Sequence, residues 1–213
     1  MKIINKYINY FSLALVMLFM ASCSEEAPIP SQITYYPTFD ITGGQYIMVE
    51  TGSTFTDPGV IANVGDGTVP VVTSGTVNTD EAGLYTLYYS ATNADGFEAS
   101  SFRYVIVVDD PAAIAANDLS GTYSVGTRSA TLTKVSDGVY EADDILPPNR
   151  IRALIFQISD TELIVPVQSS PFGPVYADPS IDPNSGGELN GSDFTLKTSV
   201  GSFGIFTRTF LKN

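Results

Sequence analysis

The chain has 213 residues and a formal net charge of −13, from 23 acidic and 10 basic side chains. Such an acidic chain repels phosphate groups, and no stretch of it clusters Lys or Arg, so nucleic acid is excluded as a partner. Histidine is absent and cysteine occurs once, so the commonest metal ligand is missing and no disulfide can form within the chain. Apolar residues make up 44% of the chain, enough to build folded cores.

The first residues have the pattern of a secretory signal peptide. Lys2 and Lys6 precede an apolar run over residues 11–21, which is too short for a permanent membrane helix, since such a helix needs about 20 residues. We therefore predict that residues 1–22 are a signal peptide. The residues that follow include Pro28 and Pro30 and no helix signal, which predicts an extended tether over residues 23–34.

The single cysteine stands directly after this apolar run. Ala21 and Ser22 before Cys23 resemble the lipobox of bacterial lipoproteins, with Met20 at the position where that pattern prefers Leu. The resemblance implies that Cys23 becomes the N-terminus of the mature chain and carries acyl chains such as palmitate. Each buried CH₂ group contributes about 0.8 kcal/mol, so several acyl chains on one cysteine anchor a protein in a membrane.

The residues after the cysteine resemble the export signal of Bacteroidetes surface lipoproteins; they are Ser24, Glu25 and Glu26. The resemblance implies transport to the outer membrane, with the folded part of the chain facing the cell exterior. We therefore expect the protein to be lipid-anchored in the outer membrane.

Residues 35–108 alternate short β-rich runs with turn-forming residues. The runs predicted as strands are Tyr46–Val49, Val69–Thr73, Leu84–Thr92 and Phe102–Val108. Regular turns between such strands, without a helical period, predict a β-sandwich. In each of the last two strands we expect one set of alternate residues to form the inner face; these sets are Tyr85, Leu87, Tyr89 and Ala91, and Phe102, Tyr104, Ile106 and Val108.

The segment Glu81–Leu87 resembles the corner that begins strand F of immunoglobulin-like domains, where a Tyr two residues before a Cys binds back to the backbone. Here Tyr85 occupies the place of that Tyr and Leu87 replaces the Cys, so apolar packing must hold the domain together. Together with Val49–Val60 and Gly83–Gly96, the pattern resembles the bacterial surface Ig-like family related to HYR modules. The resemblance implies a spacer or interaction module rather than an enzyme.

Three acidic residues of this region raise the question of a calcium site: Asp57, Asp66 and Asp95. Each lies in a turn sequence, and Asp side chains form turns by hydrogen bonding to their own backbone. A calcium site needs about six or more oxygen ligands, and the sequence contains no liganding loop motif. We therefore predict turn formation for these residues, and neither a metal nor another cofactor for the chain.

Residues 109–118 separate the two halves and are predicted to be a linker, because their alanine-rich part is too short for more than one helical turn. A second domain is predicted over residues 119–213, with β-rich runs at Gly121–Ser124, Ala130–Val135, Gly138–Tyr140, Ile151–Ile158, Leu163–Val167, Phe194–Thr198 and Phe203–Leu211. Strands of this number and length predict a small antiparallel barrel or sandwich. The chain is thus expected to be all-β, with an Ig-like β-sandwich followed by a second antiparallel β domain.

The last of these strands carries aromatic residues on both faces, with Phe203 on one face and Phe206 and Phe210 on the other. One interpretation is that one face is buried and the other makes contacts. The alternative is that Phe206 and Phe210 pack beneath a neighbouring strand or against the first domain.

Residues 171–187 form the one long segment without a strand pattern, and loops of this length are often functional or disordered. Its aromatic residues offer stacking surfaces and its acidic residues offer hydrogen-bond acceptors. We predict a ligand-binding loop, or else a flexible connection. The candidate ligand-binding residues are Phe172, Tyr176, Asp178 and Asp182.

The sequence contains no nucleophile elbow, phosphate loop or histidine base, so no catalytic residue and no enzyme is predicted. The order of lipobox, Ig-like module and C-terminal β domain resembles small two-domain surface lipoproteins of Bacteroides-type bacteria. That resemblance implies an outer-membrane nutrient importer as partner and a glycan or peptide as ligand. Twelve Tyr and twelve Phe provide stacking faces, whereas the absence of Trp disfavours sugar. The alternative is a structural or adhesive spacer without a small ligand, and a groove lined by exposed aromatic residues would favour binding.

Overall fold

The computed structural model describes residues 33–213. The predicted signal peptide, the lipid attachment at Cys23 and the export signal at Ser24, Glu25 and Glu26 lie outside the described residues. From Tyr35 to Asn213 the chain forms one compact unit of β-strands with one short helix. The predicted all-β class is confirmed.

Two sheets make up the N-terminal sandwich. The first contains β1 (Thr38–Ile41), β3 (Val60–Val64) and β4 (Gly67–Val69), and the second β2 (Tyr46–Glu50), β5 (Val72–Ser74), β6 (Gly83–Thr92) and β7 (Glu98–Val108). Strand β2 runs parallel to β7, and the other pairs are antiparallel. The run predicted at Val69–Thr73 is divided between the two sheets next to Pro70, which has no N–H group for a ladder. The sequence patterns did not indicate β1 or β3, which have only four and five residues.

The predicted tyrosine corner is present at the start of β6. The hydroxyl of Tyr85 donates a hydrogen bond to the carbonyl oxygen of Glu81 at 2.9 Å. Leu87, which replaces the family's Cys, is buried with Tyr89 and Val105 in the core between the two sheets. Apolar packing therefore takes the place of a disulfide, as the sequence predicted.

Eight strands of the C-terminal half close into an antiparallel barrel. They are β8 (Gly121–Val125), β9 (Arg128–Ser136), β10 (Val139–Ala142), β11 (Ala153–Gln157), β12 (Glu162–Ser170), β13 (Gly173–Ala177), β15 (Asp193–Val200) and β16 (Gly204–Lys212). They pair in the order β11-β10-β9-β8-β16-β15-β13-β12, and pairing between β11 and β12 closes the ring. Strand β14 (Gly186–Asn190) also lies between β12 and β15. Of the two architectures left open by the sequence, the barrel is the one observed.

Aromatic rings fill much of the barrel interior. The ring of Phe194 stacks on Phe210 at 4.4 Å and meets Tyr123 edge-on at 5.0 Å. Phe206 is partly buried and packs against the same core, whereas Phe203 is exposed. The alternative in which Phe206 and Phe210 pack beneath neighbouring strands is therefore the one observed.

The predicted linker contains the helix α1 (Pro111–Ala116). The carboxylate of Asp110 accepts a hydrogen bond from Ala113 N at 2.9 Å, and Pro111 occupies the first turn, where its missing N–H costs nothing. Ile114 is buried in an apolar cluster to which both the sandwich and the barrel contribute. The segment therefore packs between the two halves as well as connecting them.

The prediction for the inner face of β7 is wrong. Phe102, Tyr104, Ile106 and Val108 pack in the cluster shared with the barrel and not in the sandwich interior. The opposite face of β7 is the inner one, because Val105 pairs with Tyr85 of β6 and belongs to the sandwich core. Both faces of β7 are buried, since the barrel covers the outer face, and the inner face carries Arg103 beside Val105 and Val107.

Candidate functional site

Residues 171–187 do not form the long irregular loop that the sequence predicted. Pro171 and Phe172 make the turn between β12 and β13, and β13 follows at once. Only residues 178–185 leave the sheet, and β14 then takes up the same place between β12 and β15. The strand was hidden in the sequence because its first residues, Gly173 and Pro174, are types depleted in strands.

A buried serine, Ser185, holds the two ends of the loop at residues 178–185 together by hydrogen bonds. Ser185 Oγ lies 2.9 Å from the carbonyl oxygen of Asp178 and accepts a hydrogen bond from the Asp178 N–H at 3.2 Å. Two of the predicted ligand residues form turns here, since Asp178 Oδ1 accepts from Ser180 N and Asp182 Oδ1 from Asn184 N, both at 2.9 Å. A direct role of Asp178 and Asp182 in ligand binding stays a prediction.

Phe172 lies in a different environment, against an aromatic ring from a distant turn. Its ring is 6.2 Å from that of Phe203, at an angle of 87°. Both rings reach solvent, since Phe172 is 41% and Phe203 68% exposed. They belong to a concavity of about 220 Å³, here called the aromatic pocket, which is lined by Leu146, Asn149, Phe172, Val200, Phe203 and Phe206.

A glycine allows the two turns to meet. Gly201, in the turn between β15 and β16, has a φ of 45°, and a Cβ atom there would lie 2.4 Å from the carbonyl oxygen of Phe172. Its N–H donates a hydrogen bond to the carbonyl oxygen of Pro174 at 2.8 Å. A larger residue would push the two turns apart, so Gly201 brings Phe203 to Phe172.

The structure thus brings one of the four predicted ligand residues into the aromatic pocket. Tyr176 is partly buried on β13 and does not line it. The other lining residues were not predicted as ligand residues. Phe203 was one feature of the sequence that could have indicated the pocket. It is an aromatic residue between Gly201 and Gly204, and large apolar residues are unusual at the tip of a turn.

The acidic residues considered for calcium lie in separate turns. Asp57 Oδ1 accepts a hydrogen bond from Gly59 N at 3.2 Å, as predicted for a turn, whereas Asp66 and Asp95 lie in other turns. In residues 33–213 no three His, Cys, Asp or Glu side chains are grouped so as to hold a metal ion. Over the same part of the chain, no helix has the length and apolar character needed to cross a membrane.

The sandwich has a counterpart among known protein families. Residues 39–107 match the family model described as bacterial surface protein, Ig-like domain. That family is one of surface domains and not of enzymes. The match shows that the sandwich is similar to Ig-like domains of bacterial surface proteins, and it covers less than half of the chain.

Two solved structures resemble a larger part of the chain. A crystal structure of a lipoprotein from Bacteroides thetaiotaomicron is 19% identical, with a TM-score of 0.36, over 84% of this chain and 100% of that one. A structure of CBM51-2 in complex with GlcNAc and INT domains, from Clostridium perfringens ZmpB, is 16% identical with a TM-score of 0.30, over 67% of this chain and 29% of that one. No curated protein matches the chain. Since both TM-scores are below 0.5, the surface assignment rests on the family match.

Proposed function

We propose that the protein is a non-catalytic surface lipoprotein that binds a glycan or a peptide and assists an outer-membrane nutrient importer. The observation that carries the proposal is the aromatic pocket. Burial of a Phe side chain gains about 1.5–3 kcal/mol, yet Phe172 and Phe203 remain exposed at the rim of a concavity. Concave apolar surfaces of this kind are typical of binding sites.

A spacer or adhesive module without a small ligand is the second candidate, and the Ig-like match is compatible with it. A spacer has no need for exposed aromatic rings around a concavity, because they add neither stability nor solubility. The aromatic pocket therefore favours binding over a purely structural role.

Replacing Phe172 and Phe203 together by alanine is expected to weaken ligand binding by about 1–3 kcal/mol, because aromatic anchors carry much of the energy at binding sites. The ligand is first sought by calorimetric titration of the protein with a panel of oligosaccharides and peptides. Since both rings are exposed, the melting temperature should stay within about 4 °C of that of the unmodified protein.

Two control variants separate the pocket from a general effect of aromatic residues. Tyr88→Ala removes an exposed ring from β6 of the sandwich, and Tyr176→Ala removes a ring from β13 outside the pocket. Both should retain the affinity. The proposal fails if the unmodified protein binds no member of the panel, or if the Phe172/Phe203 variant binds as tightly as before.

The lipid anchor is tested independently of the pocket. Cys23→Ala is expected to move the protein from the detergent phase to the aqueous phase in a phase-partition experiment, or to leave the precursor uncleaved, because the acyl chains supply the membrane affinity. Cys23→Ser is the closest chemical control and should behave in the same way. A processed Cys23→Ala protein that remains in the detergent phase would show that the anchor lies elsewhere.

A further inference from the structure

A second concavity of about 1170 Å³ shares a turn with the aromatic pocket. Three of the five arginines of the chain line it: Arg128, Arg150 and Arg152. The grouping is not visible in the sequence, because Arg128 begins β9 and Arg150 lies in the connection after β10. In a chain with 23 acidic and 10 basic residues, this concavity, here called the arginine pocket, groups three cationic side chains beside two acidic ones, Asp143 and Asp144.

Two of these arginines are not neutralised. Arg152 forms an ion pair with Glu141, but within the described residues neither Arg128 nor Arg150 has a carboxylate oxygen within 4.0 Å. Both side chains are exposed. They are therefore available to an oxyanion, which arginine binds through two parallel hydrogen bonds.

The carboxylates of the pocket are occupied by backbone N–H groups. Asp144 is buried; its Oδ1 accepts from Leu146 N at 2.9 Å and from Ile151 N at 3.1 Å, and its Oδ2 from Arg150 N at 2.8 Å. Asp143 Oδ1 accepts from Thr131 N at 2.7 Å. These acids shape the loop and leave the guanidinium groups free.

The backbone of Arg150 is in an unusual conformation. Its φ is 54°, and among residues 33–213 it is the single residue other than glycine with a positive φ. For a residue with a side chain this conformation costs on the order of 1 kcal/mol, and such strain often occurs at binding sites. The hydrogen bond from Arg150 N to buried Asp144 holds the backbone in this conformation, and the guanidinium group remains exposed.

The two pockets share one tight turn. Asn149 N donates a hydrogen bond to Leu146 O at 3.0 Å, so the Cα atoms of these two residues are less than about 7 Å apart. Leu146 and Asn149 line the aromatic pocket, whereas Pro147, Pro148 and Arg150 line the arginine pocket. An extended peptide advances about 3.3–3.6 Å per residue, so a few residues reach across this turn.

The lining of the aromatic pocket favours a peptide over a sugar. Apart from Asn149, every lining side chain is hydrocarbon. A sugar ring would bring several hydroxyl groups into this lining and leave them without hydrogen bonds, at about 1–3 kcal/mol each. An apolar amino-acid side chain carries no such cost, and the volume of about 220 Å³ is below that of pockets for drug-sized ligands, about 300–1,000 Å³.

We propose that the ligand is a peptide with a carboxylate a few residues from an apolar side chain, and that Arg128 and Arg150 bind the carboxylate. The inference rests on the proposed function, because the aromatic pocket receives the apolar side chain. Arg152 remains paired with Glu141 at the edge of the site.

The test uses the full chain, immobilised, and a library of capped hexapeptides in which every member exists in a glutamate and a glutamine form. Mass spectrometry of the retained peptides is expected to show the glutamate forms enriched by about tenfold or more, the effect of one charge-assisted hydrogen bond. The double variant Arg128→Gln/Arg150→Gln should lose this enrichment while still retaining apolar peptides. Arg208→Gln, on β16 outside both pockets, is the matched control and should keep it.

A further variant separates binding from stability. Arg150→Gly removes the guanidinium group and relieves the backbone strain, so the melting temperature should be equal or higher while the preference for glutamate forms falls. A structural role of Arg150 would instead lower the melting temperature. Retention of the preference in this variant would remove Arg150 from the site.

The outcomes distinguish the inference from the proposed function. Equal retention of glutamate and glutamine forms overturns the carboxylate site while leaving binding in the aromatic pocket intact. Retention of neutral oligosaccharides in place of peptides also overturns it. If neither peptides nor oligosaccharides are retained, the proposed function falls and the inference falls with it.

Discussion

Asp57→Ala is expected to destabilise the protein by about 3–5 kcal/mol, because it leaves the guanidinium group of Arg103 buried without a counter-charge. Arg103 is 0% exposed and forms an ion pair with Asp57. Nε and Nη2 of Arg103 donate to backbone carbonyl oxygens, among them that of Gly44, which accepts from Nε at 3.1 Å. Chemical denaturation measures the change in the free energy of unfolding.

Tyr89 belongs to the same buried network. Its hydroxyl donates a hydrogen bond to Asp57 Oδ2 at 3.1 Å, and the Arg103 guanidinium lies 5.8 Å from the centre of its ring. Burial raises the pKa of Tyr89 to about 12, so the hydroxyl remains a donor at neutral pH. Loss of the Asp57 carboxylate therefore removes an acceptor from two buried groups at once.

Two further variants show whether the buried charge is the cause. Asp95→Ala removes an exposed acid from another turn of the same domain and should change the stability by less than about 0.5 kcal/mol. In the double variant Asp57→Ala/Arg103→Met, much of the lost stability should return, because no charge is left buried. A loss below about 1 kcal/mol in Asp57→Ala would show that backbone carbonyl oxygens alone suffice for Arg103.

Phe156→Ala is expected to cost about 3–5 kcal/mol, the usual range for removal of a fully buried Phe ring. Phe156 lies on β11, and its ring points out of the barrel onto the sandwich. It meets the ring of Tyr104 edge-on at 4.8 Å and that of Tyr46 at 6.0 Å. The cavity would lie between the two domains, so we also expect faster proteolysis around α1.

The outcome depends on whether the sandwich and the barrel unfold together. Val167→Ala, at an exposed position of β12, is the control and should change the stability by less than about 0.5 kcal/mol. If Phe156→Ala leaves both the melting temperature and the proteolysis rate unchanged, the contact between the domains contributes little to stability. Two separate melting transitions in the variant, in place of one, would show that Phe156 couples the domains.

The candidate site could be predicted only in part. The sequence points to Phe172, because it lies near turn-forming residues in a segment without a strand pattern. Its partner Phe203 is 31 positions away in the sequence, and only the contact of two hairpin turns at Gly201 brings them together. Arg128 and Arg150 are likewise distant in sequence. The order of the strands places both in the arginine pocket, so the sequence did not indicate that they lie together.

What the sequence determined by itself is local. Alternation of apolar and polar residues with turns between them specified the all-β class, because successive side chains of one strand point to opposite faces. The resemblance of residues 81–87 to the start of strand F implied the corner, whose hydrogen bond joins residues only four positions apart. The tertiary structure decided which face of β7 is the inner one, since that face carries Arg103 beside Val105 and Val107, and a period of two assigns the face with a charged residue to the outside. It also decided between barrel and sandwich, because the closing pair, β11 with β12, depends on the arrangement of all eight strands.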